Sequence, residues 1–368
     1  MMPRKYKISI YAIAKNEEKF VNRWVDSILD ADEIVVLDTG STDNTLELLK
    51  RRGVKASRQI ITPWRFDVAR NIALDNVSSD ADICVSMDLD EVMEKGWRDK
   101  LESAWRKGAT RARYTFACSH DEKGAILKTH PIEKIHSRHD YKWVHPVHEV
   151  LEYIGEGKEN KIYIPELIVH HFPDYSKPRE QYLPLLELSA KENPDIPSVS
   201  FWLGREYYFK GKYDQAIKEL IRYLDLKDAV WEEERAAALR FISRAYQKKN
   251  DFYHAKIYLY KSLAECPYIR EAYLDFAKIG YMTNDWPLVF WACSQALKIT
   301  SKTGSYLTEE EAWGSAFYDY GAIACYHLDL IDQAVEYINQ AIELAPNDKR
   351  LKDNLKLILK KADEKKKI

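Results

Sequence analysis

The sequence predicts a chain of two parts: an α/β domain built on a mostly parallel sheet, followed by an all-α array of repeats. In the first half, strand-like and helix-like segments alternate, as in parallel sheets covered by helices on both faces. A central apolar run breaks directly into three carboxylates within four residues, in Ile83–Glu91. In the second half, a helical pattern repeats itself. Because ligands of open α/β sheets bind beyond the carboxyl ends of the strands, the acidic run marks a candidate site.

Apolar periodicity predicts the elements of the first half. The predicted strands are Lys7–Ala14, Glu33–Leu37, Ser57–Ile61, Ile83–Met87 and Ile162–Val169. The predicted helices are the apolar face from Phe20 to Leu29, a segment that ends at Leu49, and Phe66–Val77. Asn16, followed by Glu17 and Glu18, is expected to cap the first helix.

The bulk composition describes an ordinary globular protein, with 46% hydrophobic and 31% charged residues among 368. The net charge of −2 provides no global field that would draw the chain to nucleic acid or anionic lipid. Five cysteines without a C-x-x-C pair argue against a disulfide framework and fit a reducing compartment. Met1–Lys7 has no apolar signal core, and no run approaches the roughly 18 apolar residues of a membrane span. We therefore expect a cytoplasmic protein.

Two nucleotide-binding motifs are missing from the sequence, G-x-G-x-x-G after the first strand and G-x-x-x-x-G-K-[ST] anywhere. This disfavours a Rossmann dehydrogenase and a P-loop NTPase. Phosphates bound here would need another source of positive charge, and a divalent cation held by Asp88–Glu91 would supply it. The alternative interpretation of these acids is a solvated loop or a helix cap.

Four motifs carry a resemblance to a known family: Ala14–Glu17 (AKNE), Asp38–Asp43 (DTGSTD), Trp64 with Arg70-Asn71, and Asp88–Glu91 (DLDE). In their order and spacing they resemble the family 2 glycosyltransferases of GT-A fold, the Rossmann-like α/β mixed sheet of nucleotide-diphospho-sugar transferases. The resemblance implies a metal-dependent, inverting transfer of a hexose or pentose from a UDP-sugar, with Mn²⁺ or Mg²⁺ as the cation.

The resemblance also implies roles for single residues. Asp38 would meet the uracil or the ribose, and Arg70 would lie near the nucleotide. Asp88 would lie close to the ribose, while Asp90 would hold the cation against the diphosphate. Leu89 at the middle position leaves both acids in place.

The middle stretch contains eight of the ten histidines, between His120 and His171. A zincin helix is excluded, because Glu152 stands where a second histidine would follow His148-Glu149. The family resemblance extends to this segment, since such transferases carry a Val-His-Glu segment facing the acceptor. Glu149 is then the general base, and His148 orients it or touches the sugar. The alternative is a surface histidine beside a solvated glutamate.

His170 and His171 end the last predicted strand, and one of them is expected to be a further metal ligand or a phosphate partner. Which of the two faces inward is left open. Lys177 and Arg179 follow as candidates to clamp the diphosphate, with solvated loop charges as the alternative.

The predicted domains are residues 1–175, a Pro-rich linker at 176–197, and a repeat domain at 198–368. Five of the thirteen prolines lie between Pro173 and Pro197. Beyond them, small residues and aromatics recur as in tetratricopeptide repeats, with an insertion at Ile299–Glu310 and a capping helix at Lys349–Leu359. Taken whole, the chain resembles bacterial and phage family 2 glycosyltransferases fused to such repeats.

Several acceptors stay open on this sequence. The favoured one is a protein or peptide hydroxyl or thiol held by the repeats. A phage-type DNA glycosyltransferase acting on a hydroxymethylated base, in the host cytoplasm, is the second, since Lys95–Lys142 has twelve Lys/Arg against six Asp/Glu. An envelope saccharide is the third. A repeat-based binding module with an inactive first domain is disfavoured by the intact Asp88, Asp90 and Arg70. An oligomer is compatible with all of these.

Overall fold

The computed structural model describes residues 5–174 and 182–365, and it divides into two compact units, Met1–Ser189 and Ala190–Ile368. The predicted diphosphate clamp, Lys177 and Arg179, lies outside the described residues. Each unit is built around its own buried apolar residues, as the predicted two-part chain requires.

The first unit contains an eight-stranded mixed sheet with the order β3-β2-β1-β4-β7-β6-β10-β5, and a separate hairpin, β8-β9. The strands are β1 (Ile8–Ala14), β2 (Glu33–Asp38), β3 (Lys55–Arg58), β4 (Ile83–Ser86), β5 (Glu91–Met93), β6 (Arg111–His120), β7 (Ile126–Ser137), β8 (Tyr141–Val144), β9 (Val150–Tyr153) and β10 (Lys161–His171). The first four and β10 match predicted strands, although β3 begins earlier and ends at Arg58.

Helices cover both faces of this sheet, as the alternation of elements predicted. They are α1 (Glu18–Ser27), α2 (Thr45–Arg51), α3 (Phe66–Asp75) and α4 (Trp97–Ala104). On one face, Trp24 of α1 and Trp97 of α4 are buried in the larger apolar cluster. On the other face, Ala69 and Ala73 of α3 pack beside Trp143 of β8. The two clusters hold the strand ends in fixed positions.

Asn16 does not cap the first helix, contrary to the sequence prediction. It has a left-handed backbone with φ 56°, and its side-chain Oδ1 accepts a hydrogen bond from the Thr42 amide at 2.7 Å. Its own amide donates to Ser41 Oγ at 2.9 Å. Asn16 therefore joins the loops that follow β1 and β2, which brings the AKNE and DTGSTD motifs together.

The predicted linker, residues 176–197, is not a continuous linker. It contains helix α5 (Tyr182–Glu192), which buries Leu183, Leu185 and Leu186. Pro184 lies in the first turn of this helix, where proline is tolerated because the first amides have no intrahelical acceptor. The cluster of prolines predicted a linker and gave no indication of this helix.

Helix pairs form the second unit. The helices are α6 (Pro197–Phe209), α7 (Tyr213–Asp225), α8 (Glu232–Lys248), α9 (Phe252–Glu265), α10 (Glu271–Met282), α11 (Trp286–Ala296), a 3₁₀ turn η1 (Glu310–Trp313), α12 (Ala316–His327), α13 (Ile331–Leu344) and α14 (Lys349–Lys365). The last of these is the predicted capping helix, extended by one and a half turns.

Glycines lie where paired helices cross, as the repeat pattern predicted. A Cβ on Gly204 of α6 would come within 2.5 Å of the Leu220 side chain of α7. A Cβ on Gly321 of α12 would come equally close to Tyr337 of α13. Both contacts are shorter than real Cβ contacts, so these crossings require a residue without a side chain.

Candidate active site

The functional residues of the first unit meet at one edge of the sheet. β1, β2 and β4 run parallel, so their carboxyl ends lie together. β7 is antiparallel to both β4 and β6, and β10 is parallel to β6, so β10 ends at this same edge. The predicted donor residues on four separate elements are thereby brought to one place, as expected for an α/β sheet.

Arg70 is the centre of a buried ion-pair network. Its Nη1 and Nη2 donate to the two carboxylate oxygens of Asp88 at 2.8 and 3.2 Å, and its Nε donates to Glu149 Oε1 at 2.5 Å. The guanidinium lies 5.1 Å from the centre of the Trp143 ring. Burial opposes the charged form of Arg70, but the charges of Asp88 and Glu149 outweigh it and raise the pKa. Arg70 is thus buried and paired rather than solvated, and it holds the predicted Asp88 and Glu149 in one unit.

Lys134 completes the network and was not identified in the sequence. Its Nζ donates to Asp88 Oδ2 at 3.0 Å and to Glu91 Oε1 at 3.1 Å. Burial would raise the pKa of Asp88, but Arg70 and Lys134 hold it well below its usual range. Burial raises the pKa of Glu91, which Lys134 offsets only in part. Asp88 is thus fixed as an anion between two cations.

Asp90 and His171 form a second pair beside this network. His171 Nε2 lies 3.3 Å from Asp90 Oδ2, and both side chains are about one quarter exposed, at 28% and 23%. The antiparallel pairing of β5 with β10 explains the contact, because it places His171 opposite Glu91 and bonds the Phe172 amide to the Asp90 carbonyl. Burial opposes protonation of His171, but the bond to Asp90 and the nearby acids raise its pKa.

His170 is not placed to be a metal ligand beside Asp90. Neighbouring residues of a strand point to opposite faces, so His170 points away from His171. Its Nε2 lies 3.1 Å from Glu94 Oε1, and its Nδ1 lies 2.9 Å from Nε2 of His120. Of the two histidines that the sequence left open, only His171 contacts Asp90.

The residues at this edge fit a divalent cation only when phosphate oxygens and water supply the rest of its ligands. Within the described residues, no group of three or more His, Cys, Asp or Glu side chains could hold a metal ion. Asp90 and His171 offer one oxygen and one nitrogen donor, while Asp88 is engaged by Arg70 and Lys134. Mg²⁺ and Mn²⁺ are commonly bound by one or two protein ligands together with phosphate oxygens and water. Asp90 and His171 match that donor set.

Asp38 lies at the end of β2 and is fully buried. Its Oδ1 accepts hydrogen bonds from the amides of Gly40 and Ser41 at 3.1 and 3.0 Å, which fixes the carboxylate. Within the described residues, its buried Oδ2 has no hydrogen-bond partner. A buried carboxylate oxygen without a donor is costly, so this position suits a ligand that carries an N–H or O–H group.

His148 and Glu149 lie in the segment between β8 and β9. Glu149 has a side chain 12% exposed and turns inward to Arg70. His148 is exposed, with a left-handed backbone of φ 50°, and its ring lies 6.1 Å from that of Tyr182. The alternative of a solvated glutamate is therefore wrong. The two neighbours therefore differ in exposure.

The fold and the site define an α/β domain of GT-A type followed by a helical-repeat unit. Residues 9–147 match the family described as Glycosyl transferase family 2. Residues 197–229 and 315–348 match the family described as Tetratricopeptide repeat. The chain thus carries a glycosyl transferase family 2 domain and a tetratricopeptide-repeat region, as the sequence motifs predicted.

Three curated relatives each match a part of the chain. An uncharacterized glycosyltransferase of Rickettsia typhi is 32% identical over 97 residues, which cover 26% of this chain and 32% of the relative. The lipopolysaccharide core biosynthesis glycosyltransferase LpsC of Rhizobium meliloti is 32% identical over 105 residues, 27% of this chain and 37% of the relative. A TPR repeat-containing protein of Synechococcus elongatus is 26% identical over 149 residues, 40% of this chain and 36% of the relative. The chain spans about a third of the length of these relatives.

In the part of the chain that the structure describes, no helix combines the length and the apolar character needed to cross a membrane.

Proposed function

We propose that the first unit is a glycosyltransferase that moves a sugar from a nucleotide-diphosphate sugar, with UDP as the nucleotide, to an acceptor hydroxyl. The observation that carries the proposal is the Arg70–Asp88–Glu149 network beside the Asp90–His171 pair, in the unit whose residues 9–147 match family 2. This reaction needs a fixed anion, a base and a cation-binding pair in one place. This edge of the sheet offers a candidate for each.

Asp38 is proposed to bind the nucleotide. Its buried Oδ2 would accept a hydrogen bond from the N–H of a uracil ring or from a ribose hydroxyl. Asp88, held between Arg70 and Lys134, would accept from a ribose hydroxyl without moving. Both carboxylates would therefore accept hydrogen bonds from N–H or O–H groups of the nucleoside. Neither carboxylate needs to move when the nucleoside binds.

Asp90 and His171 are proposed to hold the divalent cation. When bound, the cation supplies positive charge next to the diphosphate leaving group. The chain's own contribution is to fix the two donor atoms, because the β5–β10 pairing sets their separation.

Glu149 is proposed as the general base. The acceptor hydroxyl oxygen attacks the anomeric carbon, the bond from that carbon to the phosphate oxygen breaks, and the hydroxyl proton passes to the Glu149 carboxylate. Arg70 holds Oε1 in one position, so Oε2 is the oxygen that would receive the proton. Attack from the side opposite the leaving diphosphate gives inversion. His148 is proposed to contact the acceptor, which its exposure beside Glu149 supports.

The acceptor is proposed to be a protein or peptide that the repeats recruit. Repeat arrays present extended surfaces for such partners. The DNA alternative loses support because buried arginines of the basic segment Lys95–Lys142 are engaged in ion pairs. Arg98 pairs with Asp32 and Glu102, and Arg111 pairs with Glu133 and Glu159.

The test is a panel of nucleotide sugars incubated with the full chain, with Mn²⁺, Mg²⁺ or a chelator, and analysed for release of the nucleoside diphosphate. We expect one donor to be hydrolysed slowly, and only with the cation. Mass spectrometry of peptide, DNA and saccharide acceptors then identifies the product. Absence of hydrolysis and transfer for every donor, with a folded protein, would contradict the proposal.

A further inference from the structure

A chain of hydrogen bonds lies in the core of the first unit and ends at the ring that packs on Arg70. The indole Nε1 of Trp143 donates to the Tyr11 hydroxyl at 2.8 Å. The Tyr11 hydroxyl lies 2.9 Å from Nε2 of His136, whose Nδ1 lies 2.7 Å from the Ser137 carbonyl oxygen. Tyr11 and His136 are fully buried, and Trp143 is 3% exposed. The chain therefore joins side chains of β1, β7 and β8.

The direction of each bond in this chain follows from the chemistry of its atoms. A carbonyl oxygen only accepts, so His136 Nδ1 carries the ring proton and Nε2 is an acceptor. Burial lowers the pKa of His136 to about 3, so the ring is neutral at neutral pH. Tyr11 then donates to Nε2, and it accepts from Trp143 because an indole N–H only donates. Each of these polar atoms has a partner, as buried polar groups require.

Burial of a tryptophan does not by itself bring such a bond. The indole nitrogens of Trp24 and Trp97 are also buried, and within the described residues they have no hydrogen-bond partner. Both of these rings lie in the larger apolar cluster. The centre of the Trp143 ring lies 5.1 Å from the Arg70 guanidinium. Of these three rings, the hydrogen-bonded one is therefore the ring that packs on a site residue.

Two sets of bonds fix the Trp143 ring against Arg70. At the backbone, the Trp143 amide donates to Asn71 Oδ1 at 2.9 Å, and Asn71 Nδ2 donates to the Trp143 carbonyl at 2.8 Å. At the other end of the residue, Tyr11 holds the indole nitrogen. Asn71 follows Arg70 on α3, so the ring cannot tilt without breaking a bond to α3 or to β1. Arg70 in turn holds Oε1 of Glu149, which links the ring to the proposed base.

We propose that Tyr11 and His136 are positioning residues for sugar transfer: they fix the Trp143 ring, and through it the Arg70 guanidinium and the Glu149 carboxylate. The inference rests on the proposed function, in which Glu149 is the base. Tyr11 and His136 are fully buried, so neither touches the substrate. A displacement of a reacting group by about 1 Å costs on the order of 10² in rate, so a fixed ring bears directly on turnover.

The variant that tests the chain is Tyr11→Phe, which removes the hydroxyl and keeps the ring. The matched control is Tyr141→Phe. Tyr141 is 7% exposed and its ring centre also lies near that of His136, at 5.0 Å, but its hydroxyl donates to Glu159 at 3.0 Å. The two variants therefore each remove one hydroxyl beside the same histidine, and only Tyr11 is bonded to Trp143.

Transfer is measured with the donor and acceptor found in the panel. Tyr11→Phe should lower kcat by at least ~10-fold with little change in KM for the nucleotide sugar, because the base is displaced and the nucleotide contacts are kept. Tyr141→Phe should transfer at the wild-type rate. Wild-type kcat in Tyr11→Phe, or an equal loss in both variants, would overturn the proposal.

Nuclear magnetic resonance of the full chain tests the positioning without any sugar. The indole N–H signal of Trp143 is identified by its loss in Trp143→Phe, and the Nε–H signal of Arg70 by its loss in Arg70→Lys. Both signals should shift in Tyr11→Phe and stay in place in Tyr141→Phe. An unshifted Arg70 signal in Tyr11→Phe would overturn the proposal. Absence of transfer in the wild type contradicts the proposed function instead, and the Arg70 signal then still decides whether Tyr11 positions that side chain.

The ring nitrogen signals of His136 in the wild type keep the inference testable if Tyr11→Phe does not fold. Once they are assigned through the backbone, we expect Nδ1 to be protonated and Nε2 to be unprotonated at neutral pH. A ring protonated at Nε2 could not accept from Tyr11, so the Tyr11 hydroxyl would no longer be fixed between two partners. That result would overturn the proposal.

Discussion

Both units bury arginines against carboxylates, but the two networks obtain their acids in different ways. In the first unit, Arg70 pairs with Asp88, which follows a central strand, and with Glu149, which follows β8. In the second unit, Arg240 pairs with Glu309, which lies on an irregular segment. Buried charges need partners in both cases. The difference teaches that the acids of one network follow a strand, whereas the acid of the other comes from a segment without regular structure.

The largest expected effect is on the first network. Arg70→Met removes a buried cation and leaves the partly buried carboxylates of Asp88 and Glu149 with one charged partner fewer. Breaking a buried pair in this way costs about 3–5 kcal/mol in the free energy of unfolding. Chemical denaturation of the full chain, followed by Trp fluorescence, measures it.

Arg113→Met is the matched control, because Arg113 is 51% exposed and lies 3.6 Å from Glu133. Its free energy of unfolding should change by less than about 1 kcal/mol. If both substitutions lowered the free energy of unfolding equally, the Arg70 network would stabilise the protein no more than a surface ion pair does.

A smaller effect is expected at the edge of this network. Asp90→Asn weakens the proposed cation pair and should lower turnover of the nucleotide sugar by at least ~10² without changing stability. The control is Asp99→Asn, an exposed acid on α4. If Asp90→Asn turns over the nucleotide sugar at the wild-type rate when the cation is present, the assignment of Asp90 to a cation is wrong.

The smallest expected effect is the pH dependence of the ion pairs that Glu309 forms with Arg240 and Arg244 in the second unit. Burial would raise the pKa of Glu309, but Arg240 and Arg244 lower it from 4.5 to about 2. A lowered pKa in the folded state gives stability that is present above pH 4.5 and is lost as the pH falls toward 2. Allowing for solvent screening, about 2 kcal/mol should disappear over this window.

The measurement is the difference in hydrogen-exchange protection of α8 between the wild type and Glu309→Gln. This difference isolates Glu309 from Asp275 and Glu234, whose pKa values are raised by burial. It should be large at pH 6 and shrink steadily as the pH falls from 4.5 toward 2. A difference that does not change with pH would show that the Glu309 charge contributes nothing to the repeat unit.

The sequence indicates site residues where a motif and a strand end coincide. A buried strand delivers Asp88 and Asp90, and the family resemblance named Arg70, which the structure places beside Asp88. Lys134 could not, because its partnership depends on the antiparallel register of β7 with β4. The choice between His170 and His171 likewise depends on the β5–β10 register, which strand periodicity alone does not give.

In the repeat unit, too, the sequence predicts local packing but not contacts between distant residues. Its helix pairs follow from small residues at crossings such as Gly204 and Gly321. For the insertion at Ile299–Glu310, the sequence predicts only a longer spacing between two repeats. Its contacts with Arg240 and Arg244 join residues more than 60 positions apart and leave no local pattern in the sequence.

The measurement that tests the central claim most directly is sugar transfer by Glu149→Gln, which keeps the size of the side chain and the hydrogen bond to Arg70 but cannot accept the proton. With the donor and acceptor found in the panel, transfer should fall by ~10²–10⁴ while binding of UDP and cation is retained. Glu152→Gln, an exposed neighbour, should behave as the wild type. A Glu149→Gln protein that transfers sugar at the wild-type rate would contradict the assignment of Glu149 as the base.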